Sequence, residues 1–241
     1  MPPRVVIVGG GMVGLAFAIA LAQTNPGACD IRLLEARGAS TADPDPMDSR
    51  ASALSLASVD LLTRWGVWPQ IAPHAALISK IHISNQRRFG STEMCADDIA
   101  EPALGYVAEN HLIGRALLAR AAELNISLRA PCSVKSLAKI QDSPGVILSD
   151  GSLCEADLVI IAEGSDSRLR QQLGIDVERR VTQQTAAVLN VTFLGRQTGT
   201  AFERFTQNGP LAMLPLPTIV PNQARFNVVW SMDDASADSI R

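Results

Sequence analysis

The strongest constraint on this chain lies near its start, where Arg4-Val5-Val6-Ile7-Val8 runs straight into Gly9-Gly10-Gly11-Met12-Val13-Gly14 and then into the apolar stretch from Phe17 to Ala22. A β-branched run, a G-x-G-x-x-G turn and an Ala-rich helix in that order bring a helix N-terminus up to an anion. Gly9 permits the turn, Gly11 lets backbone approach phosphates without an intervening Cβ, and Gly14 allows close packing of helix on sheet. Met12 and Val13 add the first N–H groups of that helix. A second apolar run, Ile31-Arg32-Leu33-Leu34, ends in Glu35, 21 residues beyond Gly14. An acid at that distance reaches a ribose hydroxyl. It suits the unphosphorylated adenosine ribose of FAD or NAD and repels a 2′-phosphate.

The chain has 241 residues, 47% hydrophobic and 19% charged, enough to bury the core of one large or two small domains. A net charge of −3 argues against nucleic acid as a partner. Cys29, Cys95, Cys132 and Cys154 lack C-x-x-C spacing and read as ordinary thiols of a reducing compartment. His74, His82 and His111 share no ligand-like spacing, so no metal site is expected. Strand residues begin directly after Met1-Pro2-Pro3, leaving no room for a signal peptide, and no apolar run approaches the roughly 18 residues of a membrane span. The expectation is a cytoplasmic protein, with peripheral contact at the inner membrane left open.

Farther on, the polar stretch from Gly38 to Asp48, with Asp43-Pro44-Asp45-Pro46, reads as a loop. Leu54, Leu61, Leu62 and Trp65 follow at helical spacing, with Gly66 as the stop. A further helix is expected from about Asn110 to Leu124, and strands at 126–129, 134–140 and 146–148. Leu158-Val159-Ile160-Ile161-Ala162 has the continuous apolar character of a strand buried on both faces of a parallel sheet. From Thr182 onward strand patterns dominate. The fold class is therefore α/β, a Rossmann-like domain (1–76 and 103–180) joined to a β-rich substrate domain (77–102 and 181–241).

Three separated segments together resemble the aromatic-ring hydroxylase branch of FAD-dependent monooxygenases. They are the glycine turn with Glu35, the D-x-R-x-x-A-L-like stretch Asp48 to Leu54, and Ala162-Glu163-Gly164-Ser165-Asp166-Ser167-Arg168-Leu169-Arg170. The last is similar to the family's A-D-G-x-x-S-x-x-R fingerprint, with Glu163 in place of the usual aspartate. Leu104 to Asn110, Phe202 to Thr206 and Gly209 to Pro215 are similar to segments of the polyprenyl-phenol hydroxylases of ubiquinone biosynthesis. The resemblance implies FAD-dependent hydroxylation of a prenylated phenolic ring with NADH or NADPH and O2. Peripheral membrane contact or a biosynthetic complex is left open as a further partner. The family's third fingerprint, a Gly-Asp dipeptide, occurs nowhere in these residues, so the chain is expected to be an N-terminal portion with the C-terminal part of the fold absent. An FAD-dependent prenyl-chain reductase and a catalytically silent truncated subunit are the alternative readings.

The resemblance places Arg50 near the cofactor's phosphates or flavin, Asn110 near the ribityl or flavin region, and Glu163, Gly164, Ser167 and Arg170 near the pyrophosphate. A helix-start salt bridge competes for Arg50, and an N-cap for Asn110. Asp166 is expected to cap the helix that runs through Leu173. No catalytic residue is assigned.

Overall fold

The parallel strand pairing of the first residues organises one half of the molecule. In a computed structural model describing residues 1–24, 26–38, 50–140, 143–196, 198–218 and 220–239, β1 (Arg4–Val8) is followed by α1 (Met12–Thr24) and β2 (Asp30–Leu34). Next come β3 (Ala51–Ser55), α2 (Leu56–Arg64), α3 (Trp68–Ile71), β4 (Ala76–Ile78), β5 (Lys80–Asn85), β6 (Ser91–Cys95), β7 (Gly105–Glu109) and α4 (Asn110–Glu123). The remainder is β-rich: β8 (Ser127–Arg129), β9 (Val134–Ile140), β10 (Ser143–Leu148), β11 (Leu153–Glu155) and β12 (Leu158–Ile161) lead to α5 (Arg168–Gln172). Then follow β13 (Gln184–Leu194), β14 (Thr200–Thr206), β15 (Gly209–Leu216), β16 (Gln223–Asp233) and α6 (Asp234–Asp238). The loop expected between Gly38 and Asp48 falls almost wholly outside the described residues.

Two compact units emerge. The first contains Trp65–Val67, Ile113–Glu178 and the described residues of Met1–Pro44. Its parallel sheet has the order β12-β1-β2-β8, and β9, β10 and β11 form an antiparallel meander. β1 is central, and its residues Val5 to Val8 are all buried, as expected of a parallel strand covered on both faces. Val6 and Val8 pack with Val146, Leu148, Cys132 and Leu169. Val5 and Ile7 point the other way by strand alternation, toward the side where α1 buries Leu15, Ala18 and Ile19.

The second unit comprises Trp68–Leu112, Arg179–Arg241 and the described residues of Asp45–Arg64. A six-stranded sheet of order β13-β16-β15-β14-β5-β6 carries a single parallel pair, β14 with β5. A three-stranded sheet, β3-β7-β4, packs on it through Val107, Ile78, Ala201 and Leu216.

Two expectations are corrected. Leu54 is not helical: residues 51–55 are a strand, and the helix starts at Leu56. The cause is tertiary, because β3 lies against β7 so closely that a Cβ at Gly105 would sit 2.6 Å from the Leu54 carbonyl oxygen. Residues 158–161 do form a parallel strand, but β12 is at the edge of its sheet among the described residues, and Leu158 is 49% exposed. An apolar run reports a taste for burial and not the number of neighbours that supply it.

The chain entering β12 is clamped to β1. Asp157 accepts hydrogen bonds from the Arg4 N–H (2.7 Å) and guanidinium (3.3 Å), and these hold its carboxyl below the usual carboxylate value. A depressed folded-state pKa stabilises above the ordinary carboxylate range, and the benefit is lost as pH falls through the lowered value. Asp157→Asn should therefore flatten the acid limb of the pH–Tm curve while leaving its shape above neutrality unchanged, as followed by circular dichroism melts.

Candidate functional site

At the carboxyl ends of β1 and β12, which are adjacent in register at Val8 and Ile161, the chain turns sharply. Ligands of open α/β sheets bind outside such strand ends. The Gly9 N–H donates to the Leu34 carbonyl (2.8 Å) and the Ala162 N–H to Val8 (2.7 Å), so three strands meet at this point. Gly9 has φ +112°, and a Cβ there would overlap the Ala162 carbonyl oxygen; a Cβ on Gly14 would overlap the Gly9 carbonyl oxygen. Both glycines are demanded by protein packing.

Gly11 differs. A Cβ built on it meets no protein atom within 4 Å. It immediately precedes α1, whose first hydrogen bond runs from the Leu15 N–H to the Gly11 carbonyl (3.0 Å). The N–H groups that precede Leu15 at this helix start have no partner within the helix. Met12 and Val13 are 39% and 75% exposed at this end, although both are apolar.

Glu35 is held rigidly beside the turn. Its Oε2 accepts from the Gly10 N–H (2.6 Å) and its Oε1 from the Arg37 N–H (2.8 Å), while its backbone bonds Arg129 and Cys132. A carboxylate has about four acceptor sites, so two remain for a ribose diol. Gly10 is a position that sequence reasoning passed over: its Cβ would lie 2.7 Å from the Glu35 Cβ, so this glycine makes room for the acid. The Gly9-Gly10-Gly11 triplet was the available signal. Burial of Cys132, whose N–H holds Glu35, pushes its thiol up and away from thiolate chemistry.

The second fingerprint follows β12 directly. Glu163 Oε2 accepts from the Ser167 hydroxyl (2.7 Å) and the Leu169 N–H (3.3 Å). Ser167 is buried, and its Oγ accepts from the Arg170 N–H (3.1 Å). The helix cap is thus Ser167, one residue beyond the expected Asp166, because Glu163 fixes the serine hydroxyl while its own oxygen takes the N3 N–H. Gly164 is exposed, with φ +86°. The Nε of Arg170 is buried and has no hydrogen-bond partner among the described residues.

Arg50 and Asn110 belong to the other unit, where β3 and β7 bring them together. The Asn110 N–H donates to the Arg50 carbonyl (3.0 Å). Ser52 Oγ donates to Asn110 Oδ1 (2.7 Å), which fixes the amide and leaves its Nδ2 group as a donor. Arg50 is exposed at this strand start.

The turn and Glu35 fit a dinucleotide. Gly11 leaves open the volume a Cβ would fill, the α1 N–H groups suit a pyrophosphate, and Glu35 suits an unphosphorylated ribose. The sequence profile of the FAD binding domain family matches residues 3–239. Among curated proteins the chain is similar to ubiquinone hydroxylase UbiL of Rhodospirillum rubrum, 32% identical over 236 residues, covering 94% of this chain and 51% of that protein. It is likewise similar to 3-demethoxyubiquinol 3-hydroxylase of Escherichia coli, 34% identical over 223 residues, covering 89% of this chain and 55% of that protein. The chain thus spans about half the length of these relatives. The solved structure of PqsL from P. aeruginosa in complex with 2-aminobenzoylacetate superposes with a TM-score of 0.79, covering 99% of this chain and 63% of that one, at 17% identity. That likeness is one of fold.

The glycines can be separated by stability alone. Gly14→Ala forces backbone apart and should cost about 1–3 kcal/mol or more, whereas Gly11→Ala should stay within about 0.5 kcal/mol of the wild type, both read as urea unfolding midpoints.

Proposed function

This chain belongs to the FAD binding domain family, and from that premise we propose that it grips FAD for the hydroxylation of a prenylated phenolic ring in ubiquinone biosynthesis. The observation that carries the cofactor reading is Gly11, a glycine that no protein contact requires, set at the head of α1 beside a fixed carboxylate. The substrate class follows the similarity to a ubiquinone hydroxylase and a 3-demethoxyubiquinol 3-hydroxylase.

In this reading the N–H groups of Gly11, Met12 and Val13 receive the pyrophosphate, with Gly9 and Gly14 shaping the turn that presents them. The free acceptor sites of Glu35 take the adenosine ribose hydroxyls. Glu163, Gly164, Ser167 and Arg170 form the second wall: Glu163 and Ser167 hold its shape, Gly164 lets backbone approach, and the Arg170 guanidinium supplies positive charge. When bound, FAD supplies the redox chemistry, taking reducing equivalents from NADH or NADPH and activating O2. The protein's part is to bind, orient and exclude water.

A prenylated phenol partitions into lipid, so the proposed working place is the cytoplasmic face of the inner membrane, as a peripheral protein or within a biosynthetic complex. No described helix is long and apolar enough to cross a membrane.

The test is the visible absorbance spectrum of the purified chain after incubation with FAD and desalting. Retained flavin is expected in the wild type and its loss in Gly11→Ala, a variant expected to keep its fold because the added Cβ meets no protein atom within 4 Å. A wild-type chain that emerges colourless overturns the cofactor reading. For flavin-bearing protein, NAD(P)H oxidation that rises with prenylated phenols and not with prenyl lipids lacking the phenol distinguishes hydroxylase from prenyl reductase.

A further inference from the structure

The turn between β5 and β6 carries Gln86-Arg87-Arg88-Phe89-Gly90, and Phe89 stands fully exposed on it (109%). β14 runs parallel to β5, with Arg204 in register with Ser84, so the β14–β15 turn emerges at the same end of the sheet. The two turns are tied together. The Gln86 N–H donates to the Phe205 carbonyl (2.8 Å), the Gln207 N–H to Gln86 Oε1 (3.0 Å), and Arg204 Nη1 to Ser84 Oγ (3.3 Å). Between them lies an open recess of about 450 Å³ lined by Arg87, Arg88, Asn85, Gln86, Thr206 and Gln207.

Residues 84–92 and 204–210 hold three arginines and no acid, in a chain whose net charge is −3. Arg87, Arg88 and Arg204 are exposed, and none has an ion-pair partner among the described residues. By contrast, Arg4, Arg32, Arg64, Arg120, Arg129 and Arg225 each pair with a carboxylate. The acids that flank the two turns are turned elsewhere: Glu93 pairs with Lys80 (3.0 Å), and Glu203 is on the opposite face of β14 from Arg204. Arg87 has φ +60°, a left-handed backbone that glycine or asparagine adopts at less cost. A lone exposed apolar residue is ordinary, but here it stands among three unpaired cations.

We propose that this pair of turns is a membrane-docking element, in which Phe89 enters the headgroup–acyl boundary of a bilayer while Arg87, Arg88 and Arg204 meet anionic lipid headgroups. Cations beside such a surface each strengthen partitioning about fivefold, and an apolar side chain adds burial at the boundary. Protein partners bury about 800 Å² on each side; one protruding ring between polar residues offers no such face, whereas a headgroup layer needs no shaped complement. The proposal rests on the membrane placement read above and is independent of the cofactor.

Cosedimentation of the purified chain with vesicles of equimolar phosphatidylcholine and phosphatidylglycerol tests it, with phosphatidylcholine alone as the control. The wild type should pellet with the anionic vesicles and not with the control. Phe89→Ser and the double variant Arg87→Ser/Arg88→Ser should each weaken partitioning about tenfold or more. Their melting temperatures should match the wild type, because all three side chains are exposed. Phe89→Trp should keep binding, and brominated lipid should quench its emission beyond any quenching of the wild type. A wild type left in the supernatant, variants that pellet like it, or no added quenching overturns the proposal. So does a turn that takes only inorganic phosphate, seen as shifted turn amide resonances without vesicle binding, or one whose substitution alters only self-association in the analytical ultracentrifuge. Flavin retention is read separately: a colourless chain that docks through Phe89 overturns the cofactor reading and leaves this one standing.

Discussion

The candidate site depends on a backbone-to-backbone approach at the end of β1. Gly9 lies against the Ala162 carbonyl, Gly14 lies against the Gly9 carbonyl, and in neither place is there room for one methyl group. That contact lets α1 start hard against the sheet and aims its unpaired N–H groups past the strand ends. β1 can serve as the anchor because it is paired on both sides and buried on both faces. Its hydrogen bonds and its apolar side chains both resist displacement. Glu35 completes the arrangement, since one carboxylate oxygen holds the turn through Gly10 while both oxygens keep acceptor capacity.

The second unit solves a different problem. Its sheets must bury apolar faces against each other and also deliver an exposed arginine and an amide to one corner. Val107 and Glu109 divide that work along a single strand: the first packs in the sheet–sheet core, and the second ends in a polar network that reaches β13 and β16. Asn227, completely buried, donates through its Nδ2 group to Asn190 and so joins a chain of hydrogen bonds that ends on a charge.

How much of this was legible depended on the range of the interactions. The strand, turn and helix at residues 4–24 are local, and the glycines, the β-branched run and the Ala-rich helix all agree, so sequence reading reached them and the distance to Glu35. Leu54 was misread because pairing with β7 overrides a helical spacing that does exist in the residues. The edge position of β12 depends on which strands assemble beside it, which no property of residues 158–161 encodes. The Ser167 cap depends on Glu163 accepting from the serine hydroxyl four residues on, a contact that side-chain preference alone does not reveal, so the cap was expected one residue early.

By itself, the sequence determined which residue types stand at short spacing: a glycine turn of the kind that suits an anion, an acid of the kind that suits an unphosphorylated ribose, and a second acidic fingerprint. Tertiary structure alone decided which of those residues meet. It separated Gly11, whose missing side chain faces open space, from Gly9 and Gly14, whose side chains the fold forbids. It joined Arg50 to Asn110 across 60 residues of chain, and it turned Glu109 from one more charge on a strand into the fixed end of a buried network. The physical reason is that composition and spacing set what each side chain can do, whereas burial and partners, which come only from long-range packing, set what it does.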